Sequence, residues 1–366
     1  MSDINVKIMM FGGRRCGKTS IIAAMRKCFS TALAKSDLTI SVSDPETMNL
    51  LEEKTAEIEG YFRNKHRGMT VDSSGSATSE LSEYKLWLSL KTKKGRIGLN
   101  MIDYPGEWFV KRDSDYAYHQ EILADKMRQS NIIMIAVDTP FLMEQNNGSD
   151  SPDDIGQYNW RRNYCDHLAN MIKEHFSEKS YFPKMIMFVP LKCETYYDKG
   201  QMELVKDRIK IAYKEVFDFV SGSNQCNYEV IIAPILTFGN KTMRFSRFER
   251  DKETKEIIVD AQTGVPSQCK YLFVDMNCKY HPTFCEQPLL YSLAYMLKLY
   301  EYYKTIERSN EGFFGGLARF LKETFGNAAS LDDFMAQHRF VKESLMQDPH
   351  EGYEISQDPI LIGFKS

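Results

Sequence analysis

The stretch Asn5-Val-Lys-Ile-Met-Met-Phe11, followed by Gly12-Gly-Arg-Arg-Cys-Gly17-Lys18-Thr19-Ser20, decides how this chain folds. An apolar run of strand length feeds the first glycine, and a helix-compatible run from Ile21 to Phe29 follows the hydroxyl residues. The segment between them matches G-x-x-x-x-G-K-[ST] at every position. Its physical reading is a loop that cradles a polyphosphate. Gly12, Gly13 and Gly17 let the backbone curl, so that consecutive N–H groups, those of Arg15 and Cys16 among them, turn inward. The following helix adds the partial positive charge of its N-terminus at Thr19 and Ser20. Lys18 can reach the β- and γ-phosphates, and the Thr19 hydroxyl can ligate Mg²⁺. A Gly-rich turn matching by chance would not bring strand, spacing and helix into register together.

The rest of the chain supplies a body for such a loop. Its 366 residues suffice for one large domain with insertions or for two domains. A hydrophobic content of 43% with 27% charged residues describes a globular protein. The net charge of −3 offers no overall attraction to nucleic acid. No run of ~20 apolar residues spans a bilayer. The N-terminus lacks the layout of a signal peptide, which points to the cytoplasm. Eight scattered cysteines suit free thiols in a reducing compartment. Cys269, Cys278, His281 and Cys285 fit no paired C-x-x-C zinc spacing and read as buried thiols rather than a metal site.

Along the chain, Leu38 to Asp44 reads as a short strand, with Asp44 and Pro45 as N-cap and first residue of a helix. Met48, Leu51, Thr55, Ile58 and Phe62 then form one stripe of that helix, within an inserted segment at 37–68. Residues 66–83, rich in Ser, Thr and Gly, read as a polar mobile loop. A hairpin follows, from Tyr84 to Leu90 and from Arg96 to Asp103. Further apolar strands end near Asp138, Leu191 and Leu236, separated by helical stretches. One of these carries Trp160, Tyr164, Leu168, Met171 and Phe176 near one face, and another spans 201–220. Apolar strands alternating with helices specify an α/β fold: a mostly parallel six-stranded sheet with one antiparallel edge strand and helices on both faces. Residues 242–275 suggest an added β hairpin or edge strands, and Pro288 to Tyr303 a buried closing helix. The domain expected is 1–310, with a helical extension at 311–366. Within it, the apolar stripe at 311–327 either packs on the domain or docks on a partner or membrane surface.

The second half of the site is Leu99-Asn-Met-Ile-Asp103-Tyr-Pro-Gly106-Glu107. An aspartate ending a buried strand beside the loop can hold Mg²⁺ through water, and a glycine three residues on can offer its N–H to a γ-phosphate. Asp-x-x-Gly some 85 residues past a full phosphate loop resembles the P-loop GTPases of the translation-factor and Ras-like class. A plain acidic strand end of an ATPase is the alternative. The resemblance implies a strand order of 2-3-1-4-5-6, Gly106 as γ-phosphate sensor, Asp103 and Thr19 at the metal, and a switch threonine before the hairpin. Thr78 stands at the family spacing, with Thr70 as runner-up.

In that family an Asn/Thr-Lys-x-Asp motif reads guanine. This chain has Leu191-Lys192-Cys193-Glu194 in its place. Lys192 can lay its stem on the base, and Glu194 can accept from guanine N1–H and the 2-amino group, although the Asn is missing. Guanine is therefore the expected base, which makes GTP and GDP with Mg²⁺ the expected ligands. Two departures bear on catalysis. Arg14 and Arg15 stand in the phosphate loop, where Arg14 either supplies charge in cis or crowds an activator. Glu107 occupies the place of the water-orienting glutamine, where a carboxylate is repelled by phosphate unless it acts as a base. Both point to slow hydrolysis.

Asp-Tyr-Pro-Gly-Glu-Trp, the inserted helix and the long C-terminal extension look like the bacterial YcjX-like and double-GTPase families, several of which are associated with conflict and phage-defence gene clusters. Only one P-loop is visible, which excludes a chain carrying two such sites. The implied function is a nucleotide switch whose segments 66–83 and 103–115, with Trp108, dock a protein effector, within a multi-protein complex in bacterial defence. An ATPase of YcjX type and a nucleotide-bound scaffold without catalysis are the alternatives.

Overall fold

Burial on both faces makes Ile4–Phe11 (β1) the axis of the molecule. Ile8 and Met10 turn into one core, Met9 and Phe11 into another, and all four are inaccessible to solvent. The computed structural model describes residues 4–32, 38–63, 69–72, 81–90, 96–109, 114–144, 151–176, 184–222, 228–261, 263–289, 291–292, 295 and 354–355. The remaining strands are β2 (Leu38–Val42), β3 (Met69–Asp72), β4 (Ser82–Leu90), β5 (Arg96–Asp103), β6 (Ile132–Asp138), β7 (Lys184–Leu191), β8 (Tyr228–Ile232), β9 (Met243–Phe248), β10 (Gln268–Phe273) and β11 (Glu354–Ile355). The helices are α1 (Lys18–Ala32), α2 (Pro45–Arg63), α3 (Tyr116–Gln129), α4 (Thr139–Met143), α5 (Asn159–Asn163), α6 (Cys165–Met171), α7 (Glu194–Asp198), α8 (Met202–Ala212) and α9 (Lys214–Gly222).

The main sheet runs β11-β8-β7-β6-β1-β5-β4-β2. Strands β8, β7, β6, β1 and β5 are mutually parallel, the six strands expected from the sequence stand in the expected order, and the α/β class holds. The antiparallel hairpin strand β4 is not the edge, however. Strand β2 pairs antiparallel along its outer side, and β11 adds a short antiparallel partner to β8. An uncovered β4 would present a row of unpaired backbone groups, and β2 occupies them.

A second sheet, β3-β10-β9, stands apart from the first. It corrects the reading of 66–83 as one loop, because Met69–Asp72 is a strand paired with Gln268–Tyr271. Its partner lies some 200 residues away, so no local pattern announced it. The run at Ile257 is not a strand; Arg250–Ile257 and Val259–Pro266 form isolated bridges.

Three apolar clusters fill the spaces between layers. The first joins one face of the main sheet to α1 and Leu51 of α2, and also to Leu289, Tyr291 and Tyr295 of the helical stretch that begins at 287. The second packs α3, α6, α8 and α9 on the opposite face. The third joins Ile58 and Phe62 of α2 and Phe141 of α4 to Phe245, Phe248 and Tyr271 of the second sheet. Helix α2 starts as expected: the Asp44 carboxylate accepts from the Thr47 N–H at 2.8 Å. The single helices expected at 160–176 and 201–220 are each broken. Tyr164 takes φ +51°, which turns Trp160 off the buried face and leaves it 42% exposed, and the second break falls at Tyr213. The stripe at 311–327 and the body of 311–366 lie outside the described residues, apart from β11.

Candidate functional site

The loop between β1 and α1 is shaped by its glycines and by what presses on them. Gly17 takes φ +115°, a region that side chains rarely enter. The loop closes with Cys16 N–H donating to Gly13 O at 3.2 Å, and α1 opens with Ile21 N–H donating to Gly17 O at 3.0 Å. Burial pushes the Cys16 thiol up from its ordinary range, which keeps it protonated. Lys18 is buried in the first turn of α1, and its Nζ donates to Gly12 O at 3.0 Å.

The pairing of β1 with β5 sets Asp103 opposite Met10, beside the start of the loop. Thr19 Oγ1 donates to Asp103 Oδ2 at 2.8 Å, and Lys18 Nζ lies 3.7 Å from Asp103 Oδ1. Oδ1 is buried and has no hydrogen-bond partner among the described residues. Burial raises the pKa of this carboxyl, with Lys18 and Thr19 opposing. A carboxylate with one oxygen held and the other unmet, next to a hydroxyl, is a donor set that fits a hard divalent cation such as Mg²⁺. Gly106 comes so close to the loop that a Cβ there would lie 2.4 Å from Arg14 N. The Asp-x-x-Gly segment thus packs directly on the phosphate loop, and only glycine permits the approach.

These groups open into a cavity of about 550 Å³. Its floor is Arg14 to Ser20, with Tyr84, Asp103 and Gly106. Glu53, Lys54, Glu57 and Tyr61 of the inserted helix α2 make one wall. Leu191, Lys192, Thr237 and Phe238 also line it, with Leu191 reaching toward Gly17, and Thr70 of β3 and Tyr271 of β10 join them.

Around Lys192 the side chains are held by partners that the sequence reading did not anticipate. Lys192, at φ +59°, donates to both Asp138 carboxylate oxygens at 2.9 and 3.0 Å. Arg162 donates to Asp138 Oδ2 through Nε at 2.9 Å and Nη2 at 2.8 Å. All three side chains are buried. Glu194 is also buried, and its Oε1 accepts from the Phe238 N–H at 2.9 Å. Burial raises its pKa to about 7, opposed by that hydrogen bond and by Lys192.

The structure therefore gathers Arg14, Arg15, Cys16, Gly17, Lys18, Thr19, Ser20, Asp103, Gly106 and Lys192 around one cavity, with Gly12 and Gly13 just before it. Glu194 is not in the cavity lining; it is bonded to the backbone N–H of Phe238, which is. Thr70 lines the cavity, whereas Thr78 falls outside the described residues. Glu107 belongs by its backbone to a 3-10 turn at Gly106–Phe109. Trp108 stacks on His119 of α3 at 4.2 Å, which is packing on a neighbouring helix. Cys269 and Cys285 are buried in different apolar clusters. Residues missed in the sequence were Asp138, Arg162, Tyr84 and Tyr271. Only Asp138 carried a signal, since it ends an apolar strand as Asp103 does. Among the described residues no helix is long and apolar enough to cross a membrane.

The family model described as Double-GTPase 2 matches residues 7–215, more than half of the chain, and the chain belongs to that family. No curated protein matches it significantly in sequence. Similar solved structures include translation elongation factor SelB of Methanococcus maripaludis with a GTP analogue, at 13% identity and TM-score 0.30, over 65% of this chain and 31% of that one. Another is the Ski7 GTPase-like domain of S. cerevisiae bound to GTP, at 14% identity and TM-score 0.32, over 63% of this chain and 43% of that one. The chain thus spans less than half the length of either.

Proposed function

We propose that this member of the Double-GTPase 2 family is a Mg²⁺-dependent switch that binds GTP and GDP and hydrolyses GTP slowly. The observation that carries the reading is Asp103. Its carboxylate joins the Thr19 hydroxyl and the Lys18 ammonium at the mouth of a complete phosphate loop, with one buried oxygen still unmet. Thr19 and Asp103, with a switch threonine (Thr78, or Thr70 in the cavity wall), would hold the metal. When bound, Mg²⁺ offsets the charge of the β- and γ-phosphates. Lys18 releases the loop carbonyls and turns its charge to the phosphates. Gly106, pressed against Arg14, brings its N–H to the γ-phosphate. Arg14 lines the cavity and acts in cis on charge that develops there. Slow turnover follows from the residue type at position 107, a glutamate where the sequence of the Ras-like class has a neutral, water-orienting glutamine.

In the same reading, residues 1–310 are the nucleotide-binding domain and 311–366 an extension. The segments 66–83 and 103–115 are the effector-docking switches, in a cytoplasmic complex of a bacterial defence system. The measurement is turnover of GTP and of ATP by the purified protein, with Mg²⁺ and with EDTA. GTP hydrolysis lost in EDTA is expected. A specific observation favours a second reading, an ATPase of YcjX type: Glu194 is engaged by Phe238 and Leu191 stands where the base-reading Asn would be, so ATP consumed faster than GTP would select it. Tight nucleotide binding without turnover of either would leave a scaffold.

A further inference from the structure

The cavity lining at Leu191 and Lys192 lacks the free polar groups that the family motif uses to read a base. Leu191 offers no hydrogen bond, Lys192 is tied to Asp138, and Glu194, absent from the cavity lining, accepts from the Phe238 N–H through Oε1. A buried polar atom in the same region is unmet. Tyr271 lines the cavity, is 2% exposed, and its phenol oxygen has no hydrogen-bond partner among the described residues. Its ring is fixed by Phe245 at 5.7 Å, edge to face, within the apolar cluster under the second sheet. A buried hydroxyl left unmet is destabilising, and native structures keep such groups where a ligand or water meets them. A phenol both donates and accepts, so it can bond the polar edge of a purine.

We infer that Tyr271, contributed by the second sheet, is a specificity-determining residue that hydrogen-bonds the edge of the bound purine in place of the motif carboxylate. The inference rests on the nucleotide-binding reading above. Thr237, Phe238 and the Lys192 stem then form the slot in which the base lies, and the hydroxyl supplies the polar contact at its end.

The test is Tyr271→Phe, which removes one oxygen and keeps the ring. Dissociation constants for GDP, ADP and tripolyphosphate are measured by competition on parent and variant, together with thermal midpoints of the free proteins. The expected result is a loss of about fivefold for the preferred nucleotide, a smaller loss for the other, and unchanged tripolyphosphate affinity. The free variant melts no lower than the parent, because the lost hydroxyl had no partner. Unchanged nucleotide affinities overturn the inference. So does an equal loss for GDP and ADP, which would put the contact on the ribose, and so does a lower midpoint of the free variant, which would make the hydroxyl structural. A parent that binds tripolyphosphate but neither nucleotide overturns Tyr271 and keeps the phosphate loop. A parent that binds none of the three overturns the nucleotide-binding reading itself.

Discussion

At the phosphate end of the cavity, the loop Gly12–Ser20 and the strand end at Asp103 bring Lys18, Thr19 and the Asp103 carboxylate together, each from a short motif. Elsewhere in the lining, Lys192 follows β7, Thr237 and Phe238 lie in the connecting stretch after β8, and Tyr271 belongs to the separate sheet. The first end is built by contiguous sequence, so local geometry alone constrains it. The second is assembled across the fold, where a side chain can change partner without disturbing the motif around it. Glu194 shows this: it keeps the position of a base-reading acid yet accepts a backbone N–H instead.

The largest effect expected is at the phosphate end. Lys18→Ala removes the ammonium held against the loop carbonyls, and turnover of nucleoside triphosphate falls at least ~100-fold in a steady-state assay. Turnover within a few-fold of the parent would place the site elsewhere. In the buried cluster beside the loop, Asp138→Ala leaves Arg162 and Lys192 without their carboxylate, at a cost of about 3–5 kcal/mol in urea unfolding. A loss under ~1 kcal/mol would mean that water already screens the pair.

Glu194 should show itself in pH dependence. Its folded pKa of about 7 lies above the ordinary 4.5, so its contribution to stability is complete below pH 4.5 and is lost as pH rises through 7. Glu194→Gln keeps an acceptor for Phe238 N–H and does not ionise. Parent stability should drop by roughly 2–3 kcal/mol more than the variant's across that window. Parallel curves would show that Glu194 ionises like a solvated acid. The smallest effect belongs to Arg14. Arg14→Gly should lower the single-turnover hydrolysis rate by about three- to tenfold without changing stability. A faster variant would make Arg14 a steric block instead.

The same contrast explains what the sequence disclosed. The loop, the Asp103–Gly106 segment, the strand order and the buried stripe of α2 were legible because each rests on spacing within one element or on apolar alternation. Strand β3 was not, since Met69–Asp72 is stabilised by Gln268–Tyr271, far away in the chain. The break at Tyr164 was hidden because a left-handed tyrosine leaves no mark in apolar periodicity. The bond between Glu194 and the Phe238 N–H was hidden for a related reason: position in a motif does not fix which backbone N–H a carboxylate finds.

The Asp138 cluster carries an electrostatic consequence. Two buried cations share one buried carboxylate, so the group holds a surplus positive charge, and the Arg162 carbonyl lies only 2.5 Å from where a Gly13 Cβ would be. Little water reaches these side chains, so salt screens that charge weakly. A polyanion arriving at the loop completes the charge balance of the interior, and the protein's attraction for it should outlast ionic strengths that would abolish a surface lysine's.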